Sequence, residues 1–158
     1  MMRAFCTFVR PLLKFSSTIW SPYTVADINR VESAQRSFTK HIFYLRDSTY
    51  KERLVNLGID SLQCRRVKSD LLLCYKLLHG LTNVKSDDFC VLSHNVNLRG
   101  NRFKLVKPVV TSARDANFFS HRIINIWNAL PDCIVSADTI ACFKNSLNRF
   151  DFSDYVKF

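Results

Sequence analysis

The sequence predicts a mainly α-helical protein: a bundle-like helical region, a short β strand or hairpin near residues 102–111, and a C-terminal pair of helices. Three observations lead there. Apolar residues recur at intervals of three and four through most of the 158 residues, the spacing that gathers side chains on one helical face. Glycine and proline, which interrupt helices, number only three and four. Hydrophobic residues make up 47% of the chain, with 13 Phe, 5 Tyr and 2 Trp among them, enough apolar surface to bury those faces.

The elements follow in order. Residues 3–20 are an apolar stretch split by Pro11, where a helix is expected to begin because proline suits a first turn. Ser21-Pro22-Tyr23 breaks the chain. Ile28, Val31, Gln35, Phe38, Ile42 and Leu45 form the clearest stripe, opened by Thr24 with Asp27 three residues on. Thr49 and Glu52 form a capping box for a short helix that turns Tyr50, Leu54 and Leu57 inward and ends at Gly58. Ser61 starts a helix with the stripe Val67, Leu71, Cys74, Leu78 and Leu81, stopped at Gly80. Residues 82–100 read as a polar loop. Arg102 to Val110 alternates weakly, as a strand would. Ser112 or Asp115 then caps one helix running to Leu130, with Phe119, Ile123, Ile126 and Leu130 inward. A last helix follows Asp138 on Ile140, Phe143, Leu147 and Phe150. The expected domains are 1–81, 82–111 and 112–158.

Thirty-six charged side chains leave a net charge of +10, which favours a polyanionic partner, nucleic acid more often than a membrane surface. A solvated basic surface is the competing reading, and charge alone does not choose between them. No apolar run is long enough to span a bilayer, and Arg10 interrupts the N-terminal apolar run before it resembles a secretion signal. An intracellular setting, nuclear or cytoplasmic and without a membrane role, is therefore expected, with reduced thiols that mostly sit in the core.

Catalytic and metal chemistry find little support. Asp87-Asp88 is the one adjacent acidic pair, but it falls in a loop without a third anchored acid, whereas two-metal catalysis needs rigidly held carboxylates. His41 and His121 lie near no nucleophile motif. Cys74, His79, Cys90 and His94 lack the Cys-x-x-Cys spacing that closes a small chelate loop around zinc. Gly58, Gly80 and Gly100 are too far apart to cradle phosphate. No catalytic residue, metal site or cofactor is expected.

Basic groups are the stronger signal. Arg65, Lys68 and Lys76 project from one side of a helix, with Arg66 able to pair with Asp70 at i+4. Arg99, Arg102, Lys104, Lys107 and Arg114 form a second group around Phe103. Arg30, Arg36 and Lys40 lie off the apolar stripe of their own helix. Cations bind phosphates and an aromatic ring stacks on a base; the competing reading is a solvated helix face with a basic loop.

Several segments, taken in order, resemble one family: Phe8-Val9-Arg10-Pro11-Leu12-Leu13; Trp20-Ser21-Pro22-Tyr23; Ile28 through Lys40; Tyr50-Lys51-Glu52-Arg53-Leu54 with Leu57-Gly58-Ile59; Arg65-Arg66, Asp70-Leu71 and Tyr75-Lys76-Leu77-Leu78-His79-Gly80; Phe118-Phe119-Ser120-His121-Arg122; Trp127-Asn128-Ala129-Leu130-Pro131; Phe143-Lys144 and Leu147. Together they are similar to the carboxy-terminal part of the reverse transcriptase of LINE-type, jockey-like non-LTR retrotransposons. The resemblance implies a helical thumb with the extension that follows it, gripping an RNA–DNA template–primer duplex. It also implies that the polymerase aspartates belong to a palm upstream; no aromatic-Ala-Asp-Asp motif occurs in this sequence. Met1 falls near the start of the family's thumb, which implies a truncated reading frame or a gene prediction within a decayed element. Without a palm, apolar surface along residues 4–20 is expected to be exposed and to favour self-association. Trp20, Phe38 and Trp127 are expected as core anchors rather than base-stacking rings.

Overall fold

Helices carry the architecture, as the apolar spacing predicts. The computed structural model describes residues 2–93, 101–110 and 112–156, without the Arg114 side chain. The chain divides into two units, Met1–Arg66 with Phe152–Phe158, and Val67–Asp151. No helix among the described residues is long and apolar enough to cross a membrane.

In the first unit the chain runs through a helical stretch made of Met2–Ala4, the π-helical turn Phe5–Val9 and Arg10–Leu12. Pro11 therefore lies at the end of a helical stretch, not at its start. Helices α1 (Val25–Lys40) and α2 (Tyr50–Leu57) follow, then the beginning of α3 (Leu62–Leu78). Their predicted caps are present. Thr24 Oγ1 accepts from the Asp27 amide at 3.1 Å. Thr49 and Glu52 bond reciprocally, at 3.3 Å and 2.7 Å, and a cap of this kind contributes about 1 kcal/mol. Gly58, at φ +60°, closes α2, letting the Ile59 amide reach the Leu54 carbonyl at 3.0 Å.

The buried face of α1 is more polar than the apolar spacing suggests. Ile28, Glu32, Gln35 and Thr39 are buried, while Val31 and Phe38 are half-buried. Phe38 still packs, its ring stacked 3.9 Å from that of Phe5. The cause lies in what Glu32 does. Its carboxylate accepts from the Leu62 amide at 3.0 Å, the Gln63 amide at 3.2 Å and the Tyr50 hydroxyl. Ser61 Oγ accepts from the Cys64 amide at 3.0 Å. The first three amides of α3, which no helical carbonyl can satisfy, thus all find side-chain acceptors, and a carboxylate there also suits the positive end of the helix dipole. Gln35 donates to Tyr50 Oη and to the Asp60 carbonyl, both at 3.1 Å. Burial, then Glu32 as acceptor and charge, pushes the Tyr50 phenol far above its usual range.

In the second unit the rest of α3 packs with α4 (Phe119–Ala129) and α5 (Ile140–Arg149). The core comprises Leu71, Cys74, Tyr75, Leu77, Ile123, Trp127, Phe143 and Leu147, among others. The Tyr75 ring stacks on Phe143 and His79, with centroids 4.3 Å and 4.1 Å away. Thr139 caps α5 by accepting from the Cys142 amide at 3.2 Å. Leu81, expected on the buried stripe, is exposed, because Gly80 at φ +63° turns the chain away one residue earlier. Of the six cysteines only Cys74 and Cys90 are fully buried; Cys133 and Cys142 are exposed.

Two expectations fail here for identifiable reasons. The predicted single helix from 112 to 130 is broken: Ser112 caps a short turn, Ala113–Ala116, and Phe118 is extended before α4 begins. Arg122 holds the break, donating to the Asn117 carbonyl at 3.0 Å while binding both Asp70 carboxylate oxygens at 2.9 Å and 3.0 Å. The predicted strand or hairpin near 102–111 is reduced, among the described residues, to one isolated antiparallel bridge between Leu92 and Leu105. Residues 91–93 pair with one edge of this stretch, the Ser93 amide donating to the Lys104 carbonyl and the Val106 amide to the Val91 carbonyl, both at 2.8 Å, while α4 side chains satisfy the other edge. The Asn128 amide group both accepts from the Leu105 amide at 2.8 Å and donates to its carbonyl at 2.9 Å. Trp127 Nε1 donates to the Phe103 carbonyl at 2.7 Å. Asn101 Nδ2 in turn donates to the terminal α4 carbonyls of Trp127 and Leu130, at 3.0 Å and 3.1 Å.

Candidate nucleic-acid interface

The cations singled out by sequence fall into three physical situations. Lys40 in the first unit and Lys107 in the second are exposed, with no side-chain partner among the described residues. Such ammonium groups remain available to phosphate oxygens at little desolvation cost.

A second set is engaged with the fold. Arg36 is half-buried, donates to Asn29 Oδ1 at 3.0 Å and lies with its guanidinium carbon 5.2 Å from the Tyr50 ring centroid. Arg65 is half-buried, and burial together with the neighbouring Arg10 guanidinium pulls its pKa below the usual arginine range. Arg10 is itself buried, donating to the Asp60 carbonyl at 2.8 Å. Lys68 is half-buried and reaches Asn148 Oδ1 at 3.3 Å. Arg102 is exposed but paired with Asp132 at 3.0 Å; hydrogen bonds from Arg102 hold the Asp132 carboxyl below the ordinary carboxylate range. Engaging Arg102 with phosphate means exchanging that contact.

A third set is intermediate or undescribed. Lys76 and Lys104 are half-buried. Arg99 lies outside the described residues, as does the side chain of Arg114. Phe103, read as a ring available for stacking, is half-buried against His79 at 5.2 Å between centroids, and its carbonyl is taken by Trp127. Asp70, expected beside Arg66, is bound by Arg122.

Arg30, which the sequence places off the same stripe as Arg36 and Lys40, is exposed. Sequence reasoning missed Arg46 and Lys51 in the first unit and Lys85, Lys144 and Arg149 in the second, all exposed. Periodicity offers a signal for Lys51, which lies off a buried helical stripe; Arg46 sits in a turn where periodicity is silent.

Asp87 and Asp88 are both exposed on the short 3-10 turn Ser86–Asp88. Among the described residues no three His, Cys, Asp or Glu side chains converge as metal ligands. Of the rings expected in the core, Trp127 is fully buried, but Trp20 is 42% exposed. No family model, curated protein sequence or solved structure matches this chain.

Proposed function

We propose that this chain corresponds to the thumb and downstream extension of a non-LTR, LINE-type reverse transcriptase, and that it is a non-catalytic fragment binding template–primer nucleic acid through its exposed cations. The ordered set of family-like segments carries this reading. Two physical observations support it. Those segments supply the pieces that hold each unit together: Gln35, Tyr50 and Leu54 in the first, Trp127, Asn128 and Leu130 in the second. Several cations outside those cores are exposed, Lys40 and Lys107 among them. The proposed partner is RNA or an RNA–DNA hybrid, in the nucleus or cytoplasm, with no cofactor.

Titrating the purified chain against a blunt RNA–DNA hybrid over a range of salt tests it. Binding at about 50 mM salt is expected, with log affinity falling linearly as log salt rises, by roughly 0.9 per phosphate neutralised if the hybrid behaves as B-form DNA does. Lys40→Gln with Lys107→Gln should lessen that slope. No binding at about 50 mM salt overturns the reading.

One observation favours a second reading, a helical protein-interaction module. Phe8, Leu12, Phe15 and Ile19 are each 70–78% exposed. They lie along the stretch where exposed apolar surface is expected, interrupted by a turn in which Ser16 takes φ 50°. This surface would dock on a protein partner, such as a separately encoded palm, or on a second copy. Sedimentation separates these. Self-association through these residues should strengthen with added salt, which screens repulsion between two copies of a +10 chain, and Phe15→Glu with Ile19→Glu should abolish it. A monomer at all salt concentrations that binds no apolar dye removes the module reading.

A further inference from the structure

The turn between α1 and α2 presents two consecutive aromatic residues to solvent. Phe43 is 90% exposed and Tyr44 74% exposed. Isolated exposed apolar residues are ordinary, but these two are consecutive and their outward direction is imposed. They occupy the 3-10 turn Phe43–Leu45, whose neighbours Ile42 and Leu45 are buried on either side. The Leu45 amide donates to the Ile42 carbonyl at 2.9 Å and the Ser48 amide to the Leu45 carbonyl at 3.2 Å. A turn anchored by residues 42 and 45 has only positions 43 and 44 left to face outward. Lys40, His41 and Arg46, all exposed, flank the rings, and no acidic residue lies between positions 40 and 46.

We infer that Phe43 and Tyr44 form a stacking platform for unpaired bases of single-stranded nucleic acid, with Lys40 and Arg46 on the flanking phosphates. The inference rests on the nucleic-acid reading above and deepens it, since a duplex hides its base faces from such rings. Each base has an apolar π face and is joined to its neighbour by an anionic backbone, so consecutive exposed rings between cations match both features at once. Stacking of this kind is largely indifferent to base identity, because every base presents a π face.

The test compares the full chain and its variants on an unstructured oligo-dT or oligo-U strand and on a blunt RNA–DNA hybrid of equal length. Phe43→Ala with Tyr44→Ala should weaken single-strand binding by about tenfold or more, change hybrid binding less than about twofold, and leave the salt slope intact. Phe43→Trp with Tyr44→Trp should keep single-strand affinity, with indole fluorescence quenched on binding. Lys40→Gln with Arg46→Gln should lower the single-strand salt slope by about 1.4, at roughly 0.7 per phosphate. Equal losses on strand and hybrid, or no loss on the strand, overturn the platform and leave the general reading intact. Failure of the unaltered chain to bind either nucleic acid overturns both. Loss of binding to phosphatidylserine-containing vesicles in the alanine variant, with strand affinity unchanged, also overturns the platform and assigns the rings to a lipid surface.

Discussion

Replacing Glu32 with alanine is expected to cost about 3–5 kcal/mol, because it strands three hydrogen-bond donors at once. The side chain is fully buried and serves three donors: the amides of Leu62 and Gln63 and the Tyr50 hydroxyl. Alanine leaves all three without that acceptor, and each buried unsatisfied group costs about 1–3 kcal/mol. The first turn of α3 also loses the carboxylate that complements its dipole. At roughly 2–4 °C per kcal/mol for a chain of this size, the melting temperature should fall by about 10 °C. Glu32→Gln should cost less, because its carbonyl oxygen can still accept while its amino group faces donors. Denaturant melts of Glu32→Ala, Tyr50→Phe and the pair, combined as a double-mutant cycle, measure the coupling. It should be well above the 0.5 kcal/mol at which independent sites become indistinguishable. A loss below about 1 kcal/mol for Glu32→Ala would show that the network does not organise the start of α3.

Trp127→Ala should be comparably damaging in the second unit. The indole is fully buried, lies 6.1 Å from the Phe143 ring and donates to the Phe103 carbonyl at 2.7 Å. Truncating a buried Trp to Ala typically costs about 3–5 kcal/mol through lost transfer energy and the cavity left behind, and here it also orphans a carbonyl. Trp127→Phe refills part of the volume and should cost only about 1–2 kcal/mol, mostly the lost hydrogen bond and residual void. The two tryptophans allow an internal check. Acrylamide should quench Trp20, which is 42% exposed, and largely spare Trp127 in the folded chain. Uniform quenching of both would contradict the core described here.

These two sites also mark where the sequence was readable. Helix existence and most caps were legible, because Thr24, the Thr49–Glu52 box, Gly58 and Gly80 act within a few residues of themselves. Trp127 was legible as a core anchor, since its size and helical position point the same way. Glu32 was not. Periodicity places Ile28 and Gln35 on the buried stripe, as found, but it favours apolar residues and so takes Val31 and Phe38 over Glu32, whose partners lie at positions 50, 62 and 63. Likewise, weak alternation near 102–110 predicts a strand, of which only the Leu92–Leu105 bridge forms among the described residues, and nothing local shows that Asn128 would hold the Leu105 backbone. The helix break at Phe118 depends on Arg122 reaching Asp70, 52 residues away.

The basic site was legible as charge rather than as geometry. Counting cations drew attention to Arg36 and Arg102, which the fold engages with Tyr50 and Asp132, and to Arg65, which it half-buries beside the like charge of Arg10. It gave no weight to Phe43 and Tyr44, because an aromatic pair in a short turn has no period to reveal which way it faces.

The central claim is that the positive charge of this chain serves nucleic acid and is not a generic solvated surface. Competition at about 150 mM salt tests it most directly. A labelled RNA–DNA template–primer with a single-stranded overhang is bound to the full chain and displaced by heparin, by polyglutamate or by the unlabelled substrate. The account predicts that the unlabelled substrate competes at least tenfold better, per charge, than either other polyanion. Displacement that depends on charge concentration alone, with all three polymers equivalent, would contradict it.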